Sequence, residues 1–306
     1  MDDEARRISR RRALALGGPL GVGASLGLAG CSVAADPLAG DVRPPDRHDP
    51  LATATVALLA NAGTCRLTPQ RAQGPYWFDV DSIRGDLRED RPGVPLRLAL
   101  RVEDVSLCPG RPLRDVVIEV WHCDAHGVYS RFGARTPIPA GHQPLGWPNN
   151  RGGEMPAGDP TADPMGYTGT TSDGRYSYGD AEAPTSGDGT FLRGAQVTDA
   201  RGIAQFTTVY PGWYSGRTPH VHLKAHLNRV TILATQLFFD DAVSDRVYAG
   251  TPYSEHRGRD TRNATDAMFT PAGLLTLRRQ GDAYLAAANL GVSHPLLPPG
   301  AAGEPS

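Results

Sequence analysis

The feature of this sequence that most limits its possible folds is a period-two alternation of apolar and polar residues. Every second residue from Leu96 to Val102 is a large apolar one, and DVVIEVW at 115–121 alternates in the same way. Successive side chains of a strand point to opposite faces of a sheet, so this pattern is typical of strands buried on one face. Because Pro109 and Gly110 lie between the two stretches, the pattern predicts a β-hairpin with its turn there.

Similar segments recur towards the C-terminus, separated by turn residues. They read IAQFTTVY, HVHLKAHL, VTILATQLFF and, less regularly, GLLTLRR and AYLAAANL. The periodicity of the last segment also fits a short helix. Short strands at this spacing, in a chain with 36 glycines and 27 prolines, predict an all-β fold: an antiparallel β-sandwich with long loops.

The first 31 residues predict an export signal. A basic cluster, SRRR at 9–12, precedes a short glycine-rich apolar run and resembles a twin-arginine signal. The run ends in Leu-Ala-Gly-Cys, which resembles a bacterial lipobox and would make Cys31 the lipidated first residue of the mature chain. We therefore expect an exported, extracytoplasmic protein that is anchored to the cell membrane by lipid.

The rest of the chain divides by composition into a tether, one domain and a tail. Residues 32–60 are rich in Pro, Asp and Ala and predict a flexible tether. A single domain is expected over 61–295 and a disordered tail over 296–306. Within the domain, the segment 131–190 is dominated by Gly, Pro, Asp and Ser, and its role stays open at this point.

The charges of the chain are nearly balanced, with 31 Lys and Arg against 33 Asp and Glu. A surface without a strong basic field attracts phosphates only weakly, so nucleic acid is not expected as a partner.

Three cysteines remain after Cys31, in a compartment where disulfides persist. Since three is an odd number, we expect one disulfide and one buried thiol. Cys108 and Cys123 are expected at opposite ends of one strand, which favours Cys65 as a member of the pair. The spacing alone does not fix the pairing.

His220 and His222 form an H-x-H pair on a predicted strand. Their side chains would share one face, with α-carbons about 6.6 Å apart, which suits chelation of one metal ion. The same pattern occurs in hydrogen-bonded core histidines, and His122, His126 and His226 leave a zinc site open as an alternative. Lys224, next on this face, is expected to be solvated.

Several longer motifs resemble the intradiol ring-cleavage dioxygenases, non-haem ferric enzymes related to catechol 1,2-dioxygenase, and in particular their exported members. The motifs are GPY, VWHCDAHGVYS, FLRGAQVTDARG, FTTVYPGWYSGRTPHVHLK and TQLFF, and they span most of residues 65–265. The resemblance implies one Fe(III) per chain, in a cleft surrounded by the long loops. Its ligands would be Tyr129, Tyr214, His220 and His222.

The chemistry of this ligand set agrees with a ferric ion. Fe(III) is a hard cation that favours anionic oxygen, and two phenolates offset its charge while imidazoles complete the site. A bound cation also lowers the pKa of a phenol far below its free value of about 10. On this basis the two tyrosines, rather than the histidines, indicate which metal is bound.

The resemblance also implies a reaction: O₂-dependent cleavage of a catechol-type ring between its two hydroxylated carbons, giving a cis,cis-muconate. Tyr214 would release the metal and take a substrate proton, while Tyr129 stays bound. Arg217 would face the substrate and stabilise negative charge, Gln236 would act beside it, and Tyr76 would line the pocket. His122 and His126 would line the cleft or be structural.

Two departures and two alternatives accompany this prediction. No helical dimerisation region precedes Cys65, although the resemblance still allows a homodimer, and 131–190 has no simple counterpart, so the substrate's substituents stay open. The alternatives are a cell-surface β-sandwich that binds carbohydrate or aromatic polymer with a non-catalytic metal site, and a zinc-dependent hydrolase.

Overall fold

Eleven strands and two α-helices form the regular structure of residues 49–132 and 170–293, the parts of the chain that the computed structural model describes. The strands are β1 (Pro95–Asp104), β2 (Arg111–Pro112), β3 (Val117–Trp121), β4 (Thr171–Asp173), β5 (Tyr178–Ala181), β6 (Arg193–Val197), β7 (Ile203–Val209), β8 (His220–Leu227), β9 (Val230–Phe238), β10 (Thr276–Gln280) and β11 (Ala283–Val292). The helices are α1 (Pro50–Ala57) and α2 (Asp241–Tyr248). The prediction of a β-rich fold is confirmed.

The described strands form two larger sheets and one β-ribbon. The first sheet has the order β10-β11-β1-β2, with β7 also paired to β1; the second has the order β6-β3-β8-β9; the ribbon is β4-β5. All pairs are antiparallel except β1 with β11, which run parallel. The prediction of purely antiparallel pairing is therefore wrong at this pair. Alternation reports which face of a strand is buried, and it carries no information on the direction of a distant partner.

The predicted hairpin between β1 and β3 is also wrong. The chain does turn at Pro109 and Gly110, but the strand that returns to β1 is the two-residue β2, and β3 lies in the other sheet. Strands that face each other across a core and strands that pair side by side bury the same alternate residues, so periodicity does not separate the two cases.

One hydrophobic core contains side chains from both large sheets. Its members include Leu96, Leu98 and Leu100 of β1, Ile118 and Val120 of β3, and Val221, Leu223 and Ala225 of β8. A core shared by two sheets is the arrangement expected of a β-sandwich. Because the odd-numbered residues of β8 enter this core, its even-numbered residues point to the opposite face of the sheet.

The folded region begins before residue 61, the predicted start of the domain. The Asp49 side chain accepts hydrogen bonds from the backbone N–H groups of Leu51 and Ala52, at 2.9 and 3.3 Å, and so caps α1. After α1, Leu58 and Leu59 are buried with side chains of β1 and β11. The prediction of a flexible tether is thus wrong for residues 49–60, because apolar residues at the end of this segment pack against the first sheet.

The segment AYLAAANL is a strand, β11, and the helical alternative is wrong. Tyr284 and Ala286 enter the core shared by the two sheets, while Leu285 and Ala287 pack beneath α1 on the other face. Burial on both faces removes the alternation that would have indicated a strand.

Cys65 and Cys108 form a disulfide, and Cys123 is a buried free thiol. The expectation of one disulfide and one buried thiol is confirmed, with Cys65 in the pair. Cys108 lies between β1 and β2 and Cys123 follows β3, so the two do not flank a single strand as expected.

The predicted signal over 1–31, the lipidated Cys31 and the tail over 296–306 lie outside the described residues and stay predictions. None of the described helices has the length and apolar character needed to cross a membrane.

Candidate metal centre

The even-numbered residues of β8 carry the two predicted histidine ligands. His220 and His222 are 2% and 0% exposed, and their Nε2 atoms lie 3.0 Å apart. The Nδ1 atom of His220 lies 2.7 Å from the backbone oxygen of Thr218, so an Nδ1–H donor leaves the Nε2 lone pair directed at His222. The sequence prediction that the pair shares a face is confirmed.

The side chain of Tyr129 reaches these two histidines from a turn after β3. The Asp124 carboxylate accepts hydrogen bonds from the backbone N–H groups of His126 and Val128, at 2.9 and 3.0 Å, and this closes the turn. Tyr129 is buried, and its hydroxyl oxygen lies 3.4 Å from Nε2 of His220.

Tyr214 approaches from the loop between β7 and β8. The backbone N–H of Gly212 donates to the backbone oxygen of Asp124 at 3.0 Å, so this loop is joined to the turn that carries Tyr129. The Tyr214 hydroxyl oxygen lies 3.3 Å from Nε2 of His220. The four predicted ligands therefore surround one point, with their donor atoms facing each other.

This donor set fits a single ferric ion. Ligand atoms about 2 Å from a common ion lie about 3 Å from each other, which matches the separations of 3.0–3.4 Å around Nε2 of His220. Two phenol oxygens and two imidazole nitrogens also supply the hard anionic and neutral donors that Fe(III) accepts.

Burial keeps the four groups neutral in the absence of a cation. It raises the pKa of the phenols of Tyr129 and Tyr214 and lowers the pKa of both imidazoles; His222 is further affected by His220 and Arg217. A bound cation reverses this effect on the phenols, because its charge stabilises the phenolates.

Arg217 and Gln236 lie together beside Tyr214. The Arg217 guanidinium donates to the Gln236 carbonyl oxygen through Nη2, to Asp266 through Nε at 3.0 Å, and approaches the Tyr214 hydroxyl at 3.5 Å. Gln236, on β9 opposite His222, donates its amide hydrogen to the backbone oxygen of Ala72 at 3.0 Å. The arginine is thus fixed on two sides while its charge faces the phenol of Tyr214.

Tyr76 is also at the centre. Its ring stacks on Tyr129, with centroids 4.4 Å apart and planes 21° apart, and meets Tyr214 edge-on at 6.0 Å. Gly74, two residues earlier, packs on the imidazole of His222: an added Cβ would lie 3.0 Å from its Cε1. The segment 70–79, which we call the strap, therefore covers three of the four predicted ligands.

The other histidines lie away from this point. His122 is held by the Cys123 carbonyl at 2.7 Å and the Thr208 hydroxyl at 2.8 Å, and burial lowers its pKa to about 4. His126 faces Glu255 at 3.5 Å, and His226 faces Glu119 at 3.4 Å. Among the described residues no group of three or more His, Cys, Asp or Glu is placed to hold a metal. A zinc site built from these histidines is therefore not found there.

Two contacts on this face of the second sheet were not expected from the sequence. Trp121 stacks on His222, with ring centroids 5.0 Å apart and planes 6° apart. Lys224, expected to be solvated, is 2% exposed and pairs with Asp180 at 2.8 Å. The sequence predicted that Lys224 shares a face of β8 with the two histidines. It did not predict that the strap covers this face.

Comparison with solved structures places this fold among dioxygenases. An intradiol ring-cleavage dioxygenase from Tetranychus urticae is 27% identical, with a TM-score of 0.57, covering 77% of this chain and 98% of that one. A second dioxygenase structure is also 27% identical, with a TM-score of 0.56 and the same coverage. The dioxygenase domain of a carbohydrate-binding fusion protein from Streptomyces sp. SirexAA-E is 25% identical, with a TM-score of 0.46, covering 74% and 99% of the two chains.

The fold of this chain is thus similar to that of solved dioxygenases. The more specific resemblance to the intradiol ring-cleavage dioxygenases, inferred from the motifs, is confirmed by the Tetranychus structure, and so is the enzyme class predicted with it. No family model and no curated protein matches the sequence.

Proposed function

We propose that this protein is a ferric-iron-dependent intradiol dioxygenase that uses O₂ to cleave a catechol-type ring between its two hydroxylated carbons, giving a cis,cis-muconate-type product. The observation that carries the proposal is the convergence of four donor side chains, Tyr129, Tyr214, His220 and His222, on one point. Burying polar groups costs free energy, so packing alone gives no reason to bring two phenols and two imidazoles together.

One Fe(III) per chain would be held by these four side chains. When bound, the ion would supply the positive charge and the redox capacity that make a catecholate reactive towards O₂. His220 is pre-oriented for this role by the Thr218 carbonyl, since the hydrogen bond at Nδ1 leaves Nε2 as the ligand atom.

The two tyrosines have different surroundings, which supports different roles. Tyr129 is buried beneath the ring of Tyr76, whereas Tyr214 is only half-buried and lies on a loop. We assign to Tyr129 the role of a permanent anionic ligand. Tyr214 is the tyrosine that can move, so its phenolate oxygen is the base that takes a proton from the incoming catechol.

Arg217 is positioned to stabilise negative charge that develops on the substrate. Gln236 and Asp266 fix its guanidinium beside the Tyr214 hydroxyl, so no reorganisation is needed when charge develops. A fixed cation in a water-excluded site contributes about 3 kcal/mol to such a step. Gln236 acts through Arg217, and Tyr76 would form the wall of the substrate pocket next to both phenols.

In the cell, we propose export by a twin-arginine-type route and lipid attachment at Cys31, with catechol and O₂ as small-molecule partners; a homodimer is compatible with this proposal. Replacement of Cys31 by Ser tests the anchor: the protein should move from the membrane fraction to the soluble fraction. Retention in the membrane fraction would contradict lipid anchoring at this residue.

The full-length protein, purified with iron, tests the reaction directly. Tyrosinate-to-Fe(III) charge transfer should give a wine-red colour, one iron should be found per chain, and O₂ uptake should follow addition of catechol, protocatechuate, hydroxyquinol or a larger plant phenol. A colourless protein without iron would exclude the proposal. Iron and colour without O₂ uptake would instead favour a surface protein that binds carbohydrate or aromatic polymer.

A further inference from the structure

A buried charged cluster lies outside the metal centre, on the same face of the second sheet. Lys224 of β8 and Glu119 of β3 are cross-strand neighbours, and each is 2% exposed. The Lys224 ammonium pairs with Asp180 at 2.8 Å, and Asp180 also accepts a hydrogen bond from Thr231 at 2.6 Å. Buried charges are costly and are rarely retained without a specific partner or task.

The cluster holds one side chain of the strap. Trp77 is fully buried: its indole N–H donates to Glu119 at 2.9 Å, and the Lys224 ammonium lies 3.2 Å from the ring centroid. An ammonium over the face of an indole is attracted by the ring quadrupole, most strongly where water is excluded. Trp77 is therefore fixed by a hydrogen bond at its edge and by a cation on its face.

The other half of the strap is attached separately. The backbone N–H of Arg71 donates to the backbone oxygen of Ala234 at 2.7 Å, and the Gln236 side chain donates to Ala72. Between these two attachments lie Gly74, which packs on His222, and Tyr76, which stacks on Tyr129. The residues that touch the predicted ligands are thus held between a β9 attachment and the Trp77 attachment.

We propose that Lys224 and Glu119 are positioning residues for the metal centre: by holding Trp77, they keep the strap closed over His222 and the two tyrosines and exclude water from them. The inference rests on the proposed function for its catalytic meaning. The hydrogen bonds and burial that carry it belong to the chain itself and do not depend on bound iron.

Hydrogen exchange of the full-length, iron-free protein tests whether Lys224 and Glu119, acting through Trp77, hold the strap closed. We call this arrangement the clamp. In Lys224→Met, amide hydrogens within residues 70–79 should exchange at least tenfold faster than in the wild type, while those of β1 and β11 keep their protection. Lys224→Arg, which retains a cation, should restore most of the protection. Arg229→Met is the matched control, because Arg229 pairs with Asp173 on the surface and does not touch the strap.

A second readout connects the clamp to the metal. In protein loaded with Fe(III), Lys224→Met should lose its visible band to a chelator at least tenfold faster than the wild type, and Arg229→Met should not. If Lys224→Met does not fold, Trp77→Phe replaces it. Phenylalanine lacks the indole N–H that donates to Glu119 and offers Lys224 a smaller ring, so exchange of 70–79 should change in the same direction.

The results separate the two proposals. Unchanged exchange of 70–79 in Lys224→Met, or in Trp77→Phe where it replaces that variant, would overturn the clamp, as would an equal effect of Arg229→Met. Failure of the wild type to bind iron or consume O₂ would overturn the proposed function alone, because the exchange experiment on iron-free protein still decides the role of Lys224.

Discussion

Trp121 and His222 stack face to face on adjacent strands, with their rings 6° from parallel. The Nδ1 atom of His222 is buried and has no hydrogen-bond partner among the described residues. His220, in contrast, is oriented by the Thr218 carbonyl. The two predicted histidine ligands are therefore oriented by different means, one by a hydrogen bond and one by packing between Trp121 and Gly74.

This difference predicts that Trp121→Phe weakens iron binding. The smaller ring leaves the His222 imidazole free to tilt, and loss of an orienting partner typically lowers metal affinity about tenfold. Iron affinity can be measured by competition with a chelator. Trp213→Phe is a suitable control, since Trp213 stacks on His256, a histidine outside the centre. Equal loss of affinity in both variants would contradict a specific role for the Trp121 stack.

Gly74→Ala tests the contact on the opposite side of His222. Gly74 has a φ of +77°, and an added Cβ would lie 3.0 Å from the imidazole. We expect a destabilisation of about 1 kcal/mol from the backbone alone, measured by urea unfolding, together with weaker iron binding. Gly179→Ala separates the two effects, because Gly179 has a φ of +81° and no atom near the added Cβ. It should lose similar stability and retain its iron affinity.

The four side chains that the structure brings together at the candidate centre were all named from the sequence. Residues two apart on a strand share a face, so His220 and His222 were expected together from spacing alone. The two tyrosines were predicted from motif resemblance alone, because Tyr129 and Tyr214 are separated by 85 positions and come together only on folding. Their meeting depends on the Gly212 to Asp124 hydrogen bond between two loops, which no local pattern encodes.

The environment of the centre could not be predicted in the same way. Lys224 looks like a solvated strand residue because its neighbours alternate, yet Trp77, 147 positions earlier, lies on its ammonium. The parallel pairing of β1 with β11 could not be predicted for the same reason. Both depend on contacts between segments distant in sequence, whose partners are chosen by global packing rather than by propensity.

The raised pKa of Asp79 predicts how the free energy of unfolding depends on pH. Burial, assisted by the charges of Glu119 and Asp81, raises the pKa of this carboxyl from 3.8 to about 7. The folded state then holds a proton that the unfolded state releases, so stability should fall as the pH rises from about 4 to about 7. Asp79→Asn mimics the protonated form. Urea unfolding should show it more stable than the wild type at both pH 5 and pH 8, with the larger difference at pH 8.

Asp86→Asn provides the contrasting case. Hydrogen bonds from Arg88 lower the pKa of Asp86, so this carboxylate is ionised in both states between pH 5 and pH 8. Its replacement should change the free energy of unfolding by the same amount at both pH values. An Asp79→Asn variant that behaves like Asp86→Asn would show that Asp79 titrates normally.

Tyr214→Phe tests the ligand set and the proposed base together. The variant lacks the predicted ligand oxygen that lies 3.5 Å from Arg217, while Tyr129, His220 and His222 remain, so iron should be retained in part and the visible band should shift and weaken. Loss of a positioned base typically lowers a rate 10²-fold or more, and O₂ uptake should fall by about this factor. Tyr176→Phe is the control: Tyr176 is buried, and its ring lies 5.5 Å from the ring of His226, away from the centre. An unchanged band and rate in Tyr214→Phe would remove Tyr214 from the metal centre. A changed band with an unchanged rate would keep it as a ligand and assign the proton transfer to another group.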